Sequence, residues 1–169
     1  MAQVPFVHDF STGSMDMKDL LGGKGANLAE MTRLRIPVPP GFTITTQACR
    51  AFLELGSVPA ELFEAVDEHL ARLEATLGRR LGNAADPLLV SVRSGAKFSM
   101  PGMMETVLNI GLNDTSVEGL AAQTENPRFA WDSYRRLVQM YGKTVLDLDG
   151  DRFEAAIDAA KAAKGVTAD

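Results

Sequence analysis

Residues 20–34 read Leu20-Leu21-Gly22-Gly23-Lys24-Gly25-Ala26-Asn27-Leu28-Ala29-Glu30-Met31-Thr32-Arg33-Leu34. Three glycines surround a lysine, and Leu28, Met31 and Leu34 then recur at helical spacing. The run predicts a glycine-rich turn opening a helix. Pro37, Pro39 and Pro40 forbid its continuation. Upstream, residues 3–10 predict a short strand, with Val4, Phe6 and Phe10 on one face and Val7 packing the other way. Downstream, Phe42-Thr43-Ile44-Thr45-Thr46 predicts a second strand, with Thr45 or Thr46 capping a helix around 47–55. Leu62, Val66, Leu70, Leu73 and Leu77 form the apolar stripe of an amphipathic helix, which Gly78 ends.

Leu88-Leu89-Val90-Ser91-Val92 is the most apolar β-like run and predicts a buried central strand, followed after a loop by another over Val107–Leu112. Past residue 114 the pattern turns helical, over 116–123, 127–141 and about 150–164, with Phe129, Tyr134, Leu137, Val138 and Tyr141 on one face. The fold class is therefore α+β, with an α+β unit over 1–114 and a helical subdomain over 115–169.

Seventeen basic against 22 acidic residues leave a net charge of −5, which argues against a general nucleic-acid binder. One cysteine, Cys49, excludes an intrachain disulfide and a cysteine-rich zinc site, and is expected to be buried and inert. The sequence start has no basic leader and no apolar run approaches membrane-spanning length, so a cytoplasmic protein without a membrane partner is expected. His8 and His69 lack a Cys or carboxylate at ligand spacing, and His69 falls on the polar side of its helix. Asp147, Asp149 and Asp151 alternate without the closing glutamate of a calcium loop. No metal site is assigned.

Two segments carry candidate chemistry. Gly22-Gly23-Lys24-Gly25 stands at a helix start, where unpaired N–H groups and the helix dipole favour an anion and Lys24 adds a positive charge. The spacing is not that of a P-loop, and a helix start with small residues for tight packing reads equally well. Arg93-Ser94-Gly95-Ala96 follows the apolar strand, where open sheets tend to bind ligands, and Arg93 has the fork geometry for phosphate oxygens. The loop beyond it, with Met100, Pro101, Gly102, Met103 and Met104, fits a flap closing over a ligand. Methionines filling core gaps remain the alternative.

These residues carry a resemblance. GGKGANLAEMTRLRIPVPPGFTITTQAC, VSVRSGAKFSMPGMMETVLNIGLND and NPRFAWDSYRRLVQMYG resemble, in order and at about the same spacing, the amino terminus of the pyruvate, phosphate dikinase family. Phosphoenolpyruvate synthases share the GGK and VRS elements but not the Met-Pro-Gly-Met-Met run. The resemblance implies the first lobe of an ATP-grasp domain with an appended helical subdomain. It further implies ATP held by Lys24 and Arg93 as catalytic phosphate-binding residues, with Gly22, Gly23, Ser94, Gly102, Met103 and Thr106 as further contacts. Mg2+ ligands, the phosphorylated histidine and the pyruvate-handling barrel are expected beyond residue 169, in a homodimeric full-length enzyme using ATP and phosphate. The chain alone is then an inactive amino-terminal fragment. The residues themselves leave open a standalone, non-catalytic nucleotide- or phosphate-binding module.

Overall fold

A computed structural model describes residues 5–95 and 106–166. The chain divides into two compact units: the described part of the first is 5–79 with 94–95, and of the second 80–93 with 106–166.

In the first unit, β1 (Val7–Asp9) pairs antiparallel with β2 (Phe42–Ile44), setting Val7 opposite Ile44 and Asp9 opposite Phe42. Between them run two short 3₁₀ turns, Phe10–Thr12 and Met15–Met17, and then α1 (Lys18–Arg33). Val7, and not Phe6 or Phe10, is the buried residue of this stretch, Phe10 already lying in the first 3₁₀ turn; Val4 lies outside the described residues. The core of α1 is likewise not the predicted Leu28/Met31/Leu34 face. Leu21, Ala26 and Ala29 are buried and Met31 and Leu34 are exposed, since small residues let the helix approach its neighbours closely. A β-carbon on Gly25 would lie 2.8 Å from Thr43 Oγ1, and one on Gly13 would lie 2.8 Å from the Ala29 β-carbon.

Helix α2 (Thr46–Leu55) follows β2, and α3 (Ala60–Leu77) ends at left-handed Gly78. Thr45 precedes α2 but does not cap it. Its hydroxyl donates to the Pro5 carbonyl at 3.0 Å, and its N–H to the Phe6 carbonyl at 2.8 Å, so it pins the chain start instead. Of the predicted α3 stripe only Leu73 is fully buried. Cys49 is exposed on α2, contrary to expectation.

In the second unit, β3 (Arg80–Leu81) pairs parallel with β4 (Pro87–Leu88), and β5 (Val90–Arg93) pairs antiparallel with β6 (Thr106–Ile110). Three helices follow: α4 (Ser116–Thr124), α5 (Pro127–Thr144) and α6 (Gly150–Lys164). The expected buried central strand is thus split, and its second half is open. Ser91, Val92 and Arg93 are exposed because β5 has β6 as its one partner strand among the described residues.

The core of this unit joins Val107 and Leu112 to Val117, Leu120, Ala121, Ala130 and Leu137. Strand and helices therefore share one hydrophobic cluster, and the compact division falls at residues 79/80 and not near 114. On α5 the buried positions are Ala130, Ser133, Leu137 and Gly142, while Phe129, Val138 and Tyr141 are exposed. The inward face is the one bearing small side chains, as on α1. Asn113 Oδ1 accepts from the N–H groups of Thr115 and Ser116, and Asn126, just before Pro127, accepts from the Phe129 N–H, so both helix starts are closed by asparagine.

Candidate functional site

The glycine-rich segment divides by role. Gly22 has φ +68° and ψ 173°, a backbone state open to glycine, and interrupts α1 there. The helix therefore restarts after Gly22, with Gly23 and Lys24 in the first turn of an 11-residue run to Arg33. N–H groups at such a start lack intrahelical acceptors and lie at the positive end of the dipole. Gly22 and Gly25 are buried, Gly23 and Lys24 half-buried. Gly25 is spoken for by packing: it lies against Thr43, where any side chain would collide. The packing reading of this motif therefore holds at Gly25.

Arg93 ends β5 on the second unit, exposed, and Ser94 continues the exposed chain. Thr106 opens β6 directly opposite Arg93. Neither Lys24 nor Arg93 is engaged by a carboxylate among the described residues. Other cations are: Asp132 holds both Arg135 and Arg136 at 2.7 Å, and Glu30 holds Arg33. The Arg135 and Arg136 guanidinium groups keep the Asp132 carboxyl below the usual carboxylate range, and Arg33 with the Met15 N–H does the same for Glu30. Gly102 and Met103, and with them most of the expected flap, lie outside the described residues. Among the described residues no three His, Cys, Asp or Glu side chains gather as a metal ion would require.

One polar cluster was not legible in the sequence. His69 Nδ1 lies 2.6 Å from Asp9 Oδ1, Arg72 stands 3.7 Å from Asp9 Oδ2, and the Phe42 ring lies 5.6 Å from the imidazole. His69 does have a carboxylate neighbour, 60 positions away in the chain. The pairing of β1 with β2 brings Asp9 beside Phe42, and α3 packs against β1. The cluster ties α3 to the β1–β2 strand pair. No short-range spacing signals it, because its parts come from three elements.

The sequence model described as "Pyruvate phosphate dikinase, AMP/ATP-binding domain" matches residues 18–75. Pyruvate, phosphate dikinase of Clostridium symbiosum is 52% identical over 162 residues, 95% of this chain and 18% of that protein. Those of Rhizobium meliloti (strain 1021) and Giardia intestinalis are each 55% identical, over 90% and 88% of this chain and 17% of theirs. The chain is homologous to the amino-terminal part of the pyruvate, phosphate dikinases. It spans less than a fifth of the length of these dikinases. Among the described residues no helix is long and apolar enough to cross a membrane.

Proposed function

We propose that this chain is the amino-terminal portion of the nucleotide-binding domain of a pyruvate, phosphate dikinase, and that it forms the first lobe of an ATP-grasp clamp. The complete protein then converts ATP, phosphate and pyruvate to AMP, pyrophosphate and phosphoenolpyruvate, in either direction. The observation that carries this reading is the 52% identity over 95% of the chain, a span that includes both candidate loops.

Phosphoryl transfer asks little covalent chemistry of a protein. It asks for phosphate oxygens held in line and for their charge to be neutralised. Lys24 supplies a mobile ammonium beside the N–H groups that follow the Gly22 break, and Gly23 lets an oxygen approach that backbone. Arg93 supplies a planar fork suited to two oxygens at once, with Ser94 and Thr106 offering hydroxyls beside it. Gly102 and Met103 complete the set from the flap. No residue here acts as a general base. Mg2+ neutralises phosphate charge in such reactions; its carboxylate ligands, the adenine pocket, the phosphorylated histidine and the dimer contacts belong to the rest of the protein.

The test is ATP-dependent phosphorylation of the complete protein carrying Lys24→Ala or Arg93→Ala. Losing one such charge contact costs about 3 kcal/mol, roughly a hundredfold in rate. Parent rates in both variants overturn the assignment. A standalone module is favoured instead if this chain alone binds ATP, AMP or pyrophosphate with sub-millimolar affinity by calorimetry, because half a clamp binds weakly.

A further inference from the structure

The β5–β6 ribbon changes register part-way along. Val90 faces Ile110, but Val92 faces Val107 and Arg93 faces Thr106. Two steps along β5 thus answer three along β6, so β6 carries one extra residue over Leu108–Asn109. Asn109 has φ +61°, in the left-handed region, which marks the bulge. Asparagine enters that region more readily than other side chains that carry a β-carbon. Its carbonyl accepts from the Leu112 N–H at 3.2 Å, and its side-chain Nδ2 donates to the Ser133 carbonyl of α5 at 3.5 Å.

The extra residue settles a conflict of faces. Val107 and Ile110 are three apart, and ordinary strand alternation would send them to opposite sides. Both pack in the same core cluster. The bulge allows this, and below it Val107 is buried while strand alternation gives the half-buried Thr106 to the other face. Opposed residues of an antiparallel pair share a face, with β-carbons about 5 Å apart, so Thr106 stands beside Arg93. Held at Val90–Ile110 without the extra residue, the ribbon would set Arg93 opposite Val107 instead. Arginine and a core valine would then compete for one face.

We propose that Asn109 is a positioning residue: its left-handed backbone holds the bulge that places the Thr106 hydroxyl next to the Arg93 guanidinium, forming one phosphate-facing pair. This rests on the phosphate role proposed above for Arg93. It adds a residue with no contact of its own to the nucleotide.

The experiment compares Asn109→Gly, Asn109→Asp and Asn109→Val in the complete protein. Glycine and aspartate accept the left-handed state, and both should keep ATP-dependent phosphorylation within about twofold of the parent. Valine does not, and should lower it about tenfold or more, as misplacement of a charge contact does. If Asn109→Val does not fold, Asn109→Ala takes its place. In an Arg93→Ala background the valine loss should vanish. A loss of equal size there overturns the proposal, as does a crystal structure of Asn109→Val with Arg93 still facing Thr106. If Arg93→Ala alone leaves the rate intact, the phosphate reading has failed. The crystallographic register then decides the role of Asn109 by itself: shifted supports it, retained overturns it.

Discussion

Gly25 offers a direct measurement of how α1 sits on β2. In a helix interior, Gly→Ala stabilises by about 1 kcal/mol, which is an upper bound for Gly25 in the first turn after the Gly22 break. Here the added β-carbon would lie 2.8 Å from Thr43 Oγ1 and 2.9 Å from Thr43 Cγ2, closer than real β-carbons come. Both atoms belong to one β-branched side chain with a stiff χ1, so turning it moves one atom away and brings another in. Leu21 Cβ, 3.2 Å from the same position, crowds it further. Overpacking of this kind costs about 1–3 kcal/mol. The clash outweighs the propensity gain, and Gly25→Ala should destabilise the chain by about 1 kcal/mol, or about 2–4 °C in Tm. Urea unfolding of parent and variant reads the difference. Thr43→Ala removes both obstructing atoms, and in that background Gly25→Ala should turn stabilising. A Gly25→Ala chain more stable than its parent would refute the packing argument.

Tyr134 donates its hydroxyl to Asp114 at 2.7 Å, and that bond, aided by burial, holds the phenol above its ordinary range. A raised folded value means the contribution is complete below the unfolded tyrosine pKa of about 10 and disappears as pH climbs through the folded one. Tyr134→Phe should therefore cost about 0.5 kcal/mol at neutral pH, the low end for an exposed bond, with the gap closing in strongly alkaline urea titrations; a gap that widens with pH would contradict this. His69→Ala and Asp9→Ala should each cost about 1 kcal/mol, and their double variant should fall short of the sum by at least about 0.5 kcal/mol. Strict additivity would show that the 2.6 Å contact does not tie α3 to the strand pair.

The placement of elements was readable because it follows from local punctuation. Pro37 to Pro40 stop α1, Gly78 stops α3, and Asn126-Pro127 starts α5, each through constraints within a turn or two of chain. Which face points inward was readable only in part: on α5, Leu137 is buried and Tyr134 packs on the core as expected. On α1 and α5 the rule "largest apolar residues inside" chose Leu34 and Phe129, yet the helices bury Ala26, Ala29, Ala130 and Ser133. Close approach between backbones rewards small residues, and hydropathy does not record that preference. The same holds for the candidate site. Lys24 and Arg93 stood out through local composition, and Gly22 through its place before a helix. Asn109 gave no signal at all. Its role depends on counting residues in two strands against each other, and a one-dimensional pattern holds only one strand at a time. Asp9 and His69 were missed for a related reason, as their meeting requires a strand pair and a helix already in place.

Cys49 is the only thiol in these 169 residues, and it lies open on α2. A maleimide dye or nitroxide will therefore attach at a single address within the chain, with no engineering to remove competing sulfhydryls. Because that address is in the compact unit that holds Lys24, its spectrum reports on that unit without signal from the one that holds Arg93. Pairing it with a second cysteine introduced on exposed α6 turns the native sequence into a ready spectroscopic ruler for following how the two halves respond when a nucleotide arrives.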